Sequence, residues 1–189
     1  MKKRLYIAGF GVGVAVLSLL PIASTPAIAR LVDAGNIIAQ NVVNQPKVNL
    51  QLVADQQVLQ KNAQGKEVTT WKSLNSKVTV KPGDVIRFTV TGKNEGKSAA
   101  KSLAMTQAIA RGMVYMLNSA TPVNGATLTY SIDQGKTFVV NPTIKVTLAN
   151  GKVEERPAPA TAYTHVRWKL TQALEPNTSV QAAYLVKVR

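Results

Sequence analysis

The chain is predicted to be an all-β antiparallel sandwich or barrel, and two observations carry that reading. Turn signals recur along it: after Gly65 come Pro82-Gly83, Gly96, Gly112, Asn124-Gly125, Asp133-Gln134-Gly135 and Asn150-Gly151, with glycines every 10 to 18 residues. Between them the apolar residues alternate with polar ones, the period of a strand with one buried and one solvated face. No sustained helical stripe interrupts the pattern.

The strands follow in order. Residues 47–77 are expected to form an additional hairpin turning at Gln64-Gly65, from short runs at Val48–Ala54, Val58–Lys61 and Val68–Lys72. Pro82-Gly83 fits a type II turn, because proline presets one φ and glycine takes the positive one. In Val85–Thr91, Ile86, Phe88 and Val90 share a face opposite Arg87, Thr89 and Thr91. Weaker strands are expected at Leu103–Ile109, Val114–Leu117, Ala126–Ile132 and Thr137–Val140. Thr143–Leu148 alternates again, with Ile144, Val146 and Leu148 on one side. Lys152–Tyr163, with Pro157 and Pro159, is predicted to be a loop, since proline cannot donate to a ladder. In Tyr163–Leu170, Val166, Trp168 and Leu170 oppose His165, Arg167 and Lys169. The last run, Val180–Val188, aligns Val180, Ala182, Tyr184, Val186 and Val188.

The N-terminus sets the expected compartment. Lys2, Lys3 and Arg4 precede an uncharged stretch from Leu5 to Ala29, broken by Pro21 and closed by Ala27-Ile28-Ala29. A basic start, an apolar run and a small-residue cleavage site predict a secretory signal peptide over residues 1–29. The run before Pro21 is shorter than the ~20 residues a spanning helix needs, so no membrane span is expected after cleavage. Residues 30–46, rich in Asn and Gln, are expected to be a flexible lead or a swapped edge strand. The product would be exported to the periplasm, the cell surface or the medium.

Composition narrows the function. There are 23 Lys and Arg against nine Asp and Glu, a formal net charge of +14. Three of those cations lie in the expected leader, which leaves +11. The chain has no cysteine, which excludes disulfides, a thiol nucleophile and thiolate metal sites.

Four segments in order, "VKPGDVIRFTVTGKNEG", "ARGMVYMLNSA", "TLTYSIDQGKTF" and "HVRWKLTQALEPNTSVQAAYLVKVR", resemble the bacterial conserved-repeat family, domain of unknown function eleven. The likeness covers residues 78–189 and implies an immunoglobulin-like antiparallel β-sandwich of about 7–10 strands on an exported protein, with no catalytic activity, cofactor or metal. The chain departs from the family pattern at Gln107–Gly112, which lacks its aspartate and proline, and at Pro176-Asn177, where the family has Pro-Gly. Members occur in tandem; this chain holds one copy.

Chemical sites fit the residues poorly. His165, the only histidine, falls on a strand's solvent face beside Arg167 and Lys169, protonated or merely exposed, and no GxSxG elbow accompanies it. Glu154-Glu155 sit beside Arg156 rather than across a cleft as a glycosidase pair. Asp133 in "SIDQGK" is expected to cap its own turn rather than bind calcium, which needs several oxygen ligands. The segment is no phosphate loop either.

What remains is the positive charge. In immunoglobulin-like sandwiches the last two strands pair within one sheet. On that basis His165, Arg167, Lys169, Lys187 and Arg189, joined by Arg87, are expected to form one cationic patch for an anionic polysaccharide or other envelope component. A protein partner engaged by strand exchange through residues 30–46 is the alternative, and a loop-based hydrolase a third. Nucleic acid is not expected, because stacking aromatics are sparse, with Trp71 the one candidate.

Overall fold

The computed structural model describes residues 45–74 and 79–189. The expected leader and all but the last two residues of the expected lead lie outside them. Ten antiparallel strands form among the described residues: β1 (Val48–Lys61), β2 (Glu67–Ser73), β3 (Val85–Asn94), β4 (Ala104–Ala108), β5 (Met113–Tyr115), β6 (Ala126–Ser131), β7 (Thr143–Thr147), β8 (Val153–Pro157), β9 (His165–Leu170) and β10 (Ser179–Val188). The one helical element among the described residues is a 3-10 turn, Ala160–Ala162. The all-β sandwich is as the alternation predicts.

A five-stranded sheet in the order β2-β1-β3-β10-β5 packs on a three-stranded sheet, β4-β9-β6. The inward rows make the core. Ile86, Phe88 and Val90 of β3 and Tyr184 and Val186 of β10 meet Val166 and Trp168 of β9 and Met105 of β4. Phe88 and Tyr184 stack with centroids 5.5 Å apart, and Trp168 lies 6.2 Å from Tyr184. Trp168 is fully buried, and its one polar atom, Nε1, donates to Thr121 O at 2.9 Å. A large apolar ring with its donor satisfied is the group that fixes how the sheets face each other.

Several local readings hold in detail. Pro82-Gly83 turns with Gly83 at φ +96° and Asp84 N–H donating to Lys81 O. The Asp84 carboxylate caps that turn, accepting from Lys81 N–H at 2.7 Å and from Gln56 Nε2 at 2.9 Å. Asn177, after Pro176, takes the left-handed position at φ 59°.

Four readings are corrected. Val48–Ala54 and Val58–Lys61 are one strand, β1, whose first half pairs with β3 from Val48↔Asn94 to Gln56↔Ile86. The hairpin is therefore built into the large sheet. Lys152–Tyr163 is not all loop: Val153–Pro157 forms β8, paired with β7 from Thr143↔Pro157 to Thr147↔Val153. Proline is accepted there because it ends an edge strand of a two-stranded unit and need not donate on its open side. Thr137–Val140 makes a single bridge, Tyr130↔Val139, rather than a strand. Finally, the last two strands do not pair. β9 lies between β4 and β6, while β10 lies between β3 and β5. The Thr171–Thr178 connection crosses from one sheet to the other, held by the Ala100↔Leu174 bridge and by Asn177 N–H donating to Asn94 O.

Candidate functional site

The expected patch residues divide between two faces. On the three-stranded sheet, His165, Arg167 and Lys169 occupy alternate positions of the central strand, between β4 and β6. Arg167 Nε donates to Thr106 Oγ1 at 3.0 Å, and its guanidinium carbon lies 3.4 Å from the centroid of the Phe138 ring. Such a cation–π contact holds the side chain flat without neutralising it. Lys169 is exposed between Ala104 and Thr127.

His165 is half-buried, not simply exposed. Its ring packs on Gly135, where a Cβ would come within 3.3 Å of Cε1, and edge-on to Phe138. Nδ1 lies 3.1 Å from Thr164 Oγ1. Burial lowers its pKa and the Arg167 charge lowers it further, against a smaller opposing pull from Asp133. Of the two expected states, protonated or merely exposed, the first is disfavoured: desolvation and a like charge both work against imidazolium.

The neighbouring hydroxyls and carboxylate are turn caps. Asp133 accepts from Thr137 N–H and Thr137 Oγ1, the latter at 2.6 Å, and from Ser131 Oγ at 2.7 Å. These bonds hold its carboxyl well below the usual carboxylate range. Ser131 is 1% exposed and its Oγ accepts from Gly135 N–H at 2.8 Å. Thr164 Oγ1 donates to Ser131 O. Among the described residues no group of three or more His, Cys, Asp or Glu is placed to hold a metal ion.

On the five-stranded sheet, Arg87 is committed. It forms an ion pair with Asp55 at 2.9 Å and lies 4.3 Å over the Trp71 ring. Trp71, expected to be free for stacking, is covered by that guanidinium. Asp55, an acid set between Ala54 and Gln56 on a strand, was the signal in the sequence that Arg87 has a partner. Lys187 and Arg189 stand at the far end of β10, tied down by Gly83 N–H to Val188 O and Arg189 N–H to Gly112 O. They flank an open cleft of about 530 Å³ walled by Val114, Met116, Leu117 and Ala160. Nothing in the alternation signals this cleft, because β5 and the 3-10 turn are brought together only by the fold.

The six residues therefore do not share one face. The outer surfaces of two packed sheets point in opposite directions, and β9 and β10 belong to different sheets. Arg167 with Lys169 makes one basic place; Lys187 with Arg189 makes another. Four ion pairs occur among the described residues, made by Arg87, Lys93, Lys152 and Arg156. Neither basic place contributes to them. No family model, curated protein or solved structure matches this chain.

Proposed function

We propose that this chain is an exported, non-enzymatic binding module of the cell envelope, which holds an anionic polymer such as an acidic polysaccharide through two separate basic places. The observation that carries this reading is how the acids are used. Asp55 and Glu154 pair with neighbouring cations, and Asp84 and Asp133 cap turns. Arg167, Lys169, Lys187 and Arg189 are left with no carboxylate within ion-pair reach among the described residues. Phe138 presents Arg167 as a fixed, flat donor, and a guanidinium fork suits carboxylate and sulfate groups. The apolar cleft beside Lys187 adds a surface for the less polar faces of a sugar chain. Such fields act over ~8–10 Å at ordinary ionic strength. Export is supported by the leader-like N-terminus alone.

The test is retention of the full chain on polygalacturonate and on neutral dextran at low and high salt. Retention on the acidic polymer alone, weakened about tenfold or more by salt, is expected. Equal retention on both polymers, or none on the acidic one at low salt, would overturn the reading.

A further inference from the structure

The five-stranded sheet has one edge without the usual protections. Glu95 N–H donates to Lys47 O, and Leu74 N–H donates to Ala54 O. Alternate residues of an antiparallel strand turn their main-chain groups to the same side. Lys47, Asn49, Gln51 and Val53 therefore bond toward β3, while Val48, Leu50 and Leu52 turn their N–H and C=O groups away from it. β2 reaches only as far as the Asp55↔Ser73 pair. Among the described residues, no hydrogen bond meets Val48, Leu50 or Leu52 on that side.

The window is bounded symmetrically. Pro46, four residues before Leu50, has no N–H; Ala54, four residues after it, is taken by Leu74. The sequence between, "VNLQLV", has no charge, glycine or proline. Leu52 is 40% exposed and Val53 39%. The other edges of this sheet are guarded: β5 is three residues long and β2 carries Glu67 and Lys72; the separate β7–β8 hairpin carries Glu154, Glu155, Arg156 and Pro157 on β8. Short strands, charges and proline are how proteins blunt an edge.

We infer that this edge binds a second copy of the chain, β1 against β1, antiparallel about a two-fold axis through Leu50. Leu50 then stands opposite Leu50, and Val48 opposite Leu52. Each copy's open N–H and C=O groups meet the other's, and the two apolar rows adjoin on one face. Asn49 faces Gln51 on the other face. No like charges oppose each other, and the two five-stranded sheets become one continuous sheet. The contact is isologous, so it closes as a dimer rather than a filament. It does not depend on the proposed polymer binding.

The chain has no cysteine, so a single introduced one reports on the register. Directly opposed Cα atoms lie about 5.5 Å apart in a hydrogen-bonded pair, within disulfide range. In the full chain, Leu50→Cys is expected to form a covalent dimer under mild oxidation, and Asn49→Cys is not. Should Leu50→Cys fold poorly, mixing Val48→Cys with Leu52→Cys protein is expected to cross-link in its place. Sedimentation equilibrium is expected to show a dimer weakened tenfold or more by Leu52→Lys. A monomer at all concentrations, or cross-linking at 49 equal to that at 50, overturns the inference. So does dimerisation that appears only after deletion of residues 31–44, since that would mean the chain's own lead covers the edge.

Discussion

Asn94 is the residue on which the sheet end depends. Its side chain is fully buried and makes four hydrogen bonds: Oδ1 accepts from Lys47 N–H and Gly96 N–H, and Nδ2 donates to Ser98 O and Leu174 O, both at 2.8 Å. These bonds join the start of β1, the end of β3 and the crossover before β10. Gly96 beside it cannot be larger, because a Cβ would collide with Lys47 N and with Gln45 O, 2.5 Å away. Asn94→Leu strands two donors and two acceptors and is expected to cost about 3 kcal/mol, read as a lower urea midpoint with unchanged slope. His165 gives a pH signature. Its folded pKa lies below the unfolded value of about 6.5, so the folded state binds fewer protons. Its contribution to stability is therefore complete above pH ~6.5 and is lost as pH falls through the folded pKa. An NMR titration of this only histidine is expected to give a midpoint below 6.5 that rises in Arg167→Gln without fully reaching it, since burial is the larger cause.

At the scale of elements, the strands differ in what holds them. β3 and β10 are paired on both sides and packed on β9. Where β5 ends, side-chain hydroxyls continue the ladder: Leu185 N–H donates to Ser119 Oγ at 3.0 Å and Ala183 N–H to Thr121 Oγ1 at 2.8 Å. Among the described residues, the β7–β8 hairpin pairs with no other strand and places none of its residues in the buried core. Two-stranded hairpins without such packing are marginal in water. Hydrogen exchange is expected to be slowest in the middle of β3 and β10 and orders of magnitude faster in β7 and β8; comparable protection would mean that the hairpin docks on something. Why β8 escaped the sequence reading is also clear at this scale. Glu154, Glu155, Arg156 and Pro157 describe a solvated edge, and only the cross-strand partners Ile144 and Val146 show that it is a strand.

For the whole molecule, what matters is that the charge is split. If one patch existed, charge reversals at its two ends would share a ligand segment and couple. With the basic places on different sheets, Arg167→Glu with Lys169→Glu and Lys187→Glu alone are each expected to weaken retention on acidic polymer. Their effects should add in free energy to within about 0.5 kcal/mol. Strong non-additivity in salt-dependent binding would argue for one shared site. The buried Trp168 offers a global check: Trp168→Ala empties the space between the sheets and is expected to cost about 3–5 kcal/mol, seen as a large drop in Tm.

The sequence alone determined the all-β class, the inward rows of the main strands, the Pro82-Gly83 turn and the capping role of Asp133. Each of these is set by period two or by residues within a few positions, so each is written locally. It also determined the excess of positive charge, though not its arrangement. Only the tertiary structure decided that β9 and β10 lie in different sheets, which divides His165, Arg167 and Lys169 from Lys187 and Arg189. Alternation tells which way a side chain faces from its own sheet; it says nothing of which sheet a strand joins. That choice is made by long-range pairing, through Asn94, Leu174 and the packing around Trp168, and the same pairing leaves β1, among the described residues, without a partner on one side of Leu50.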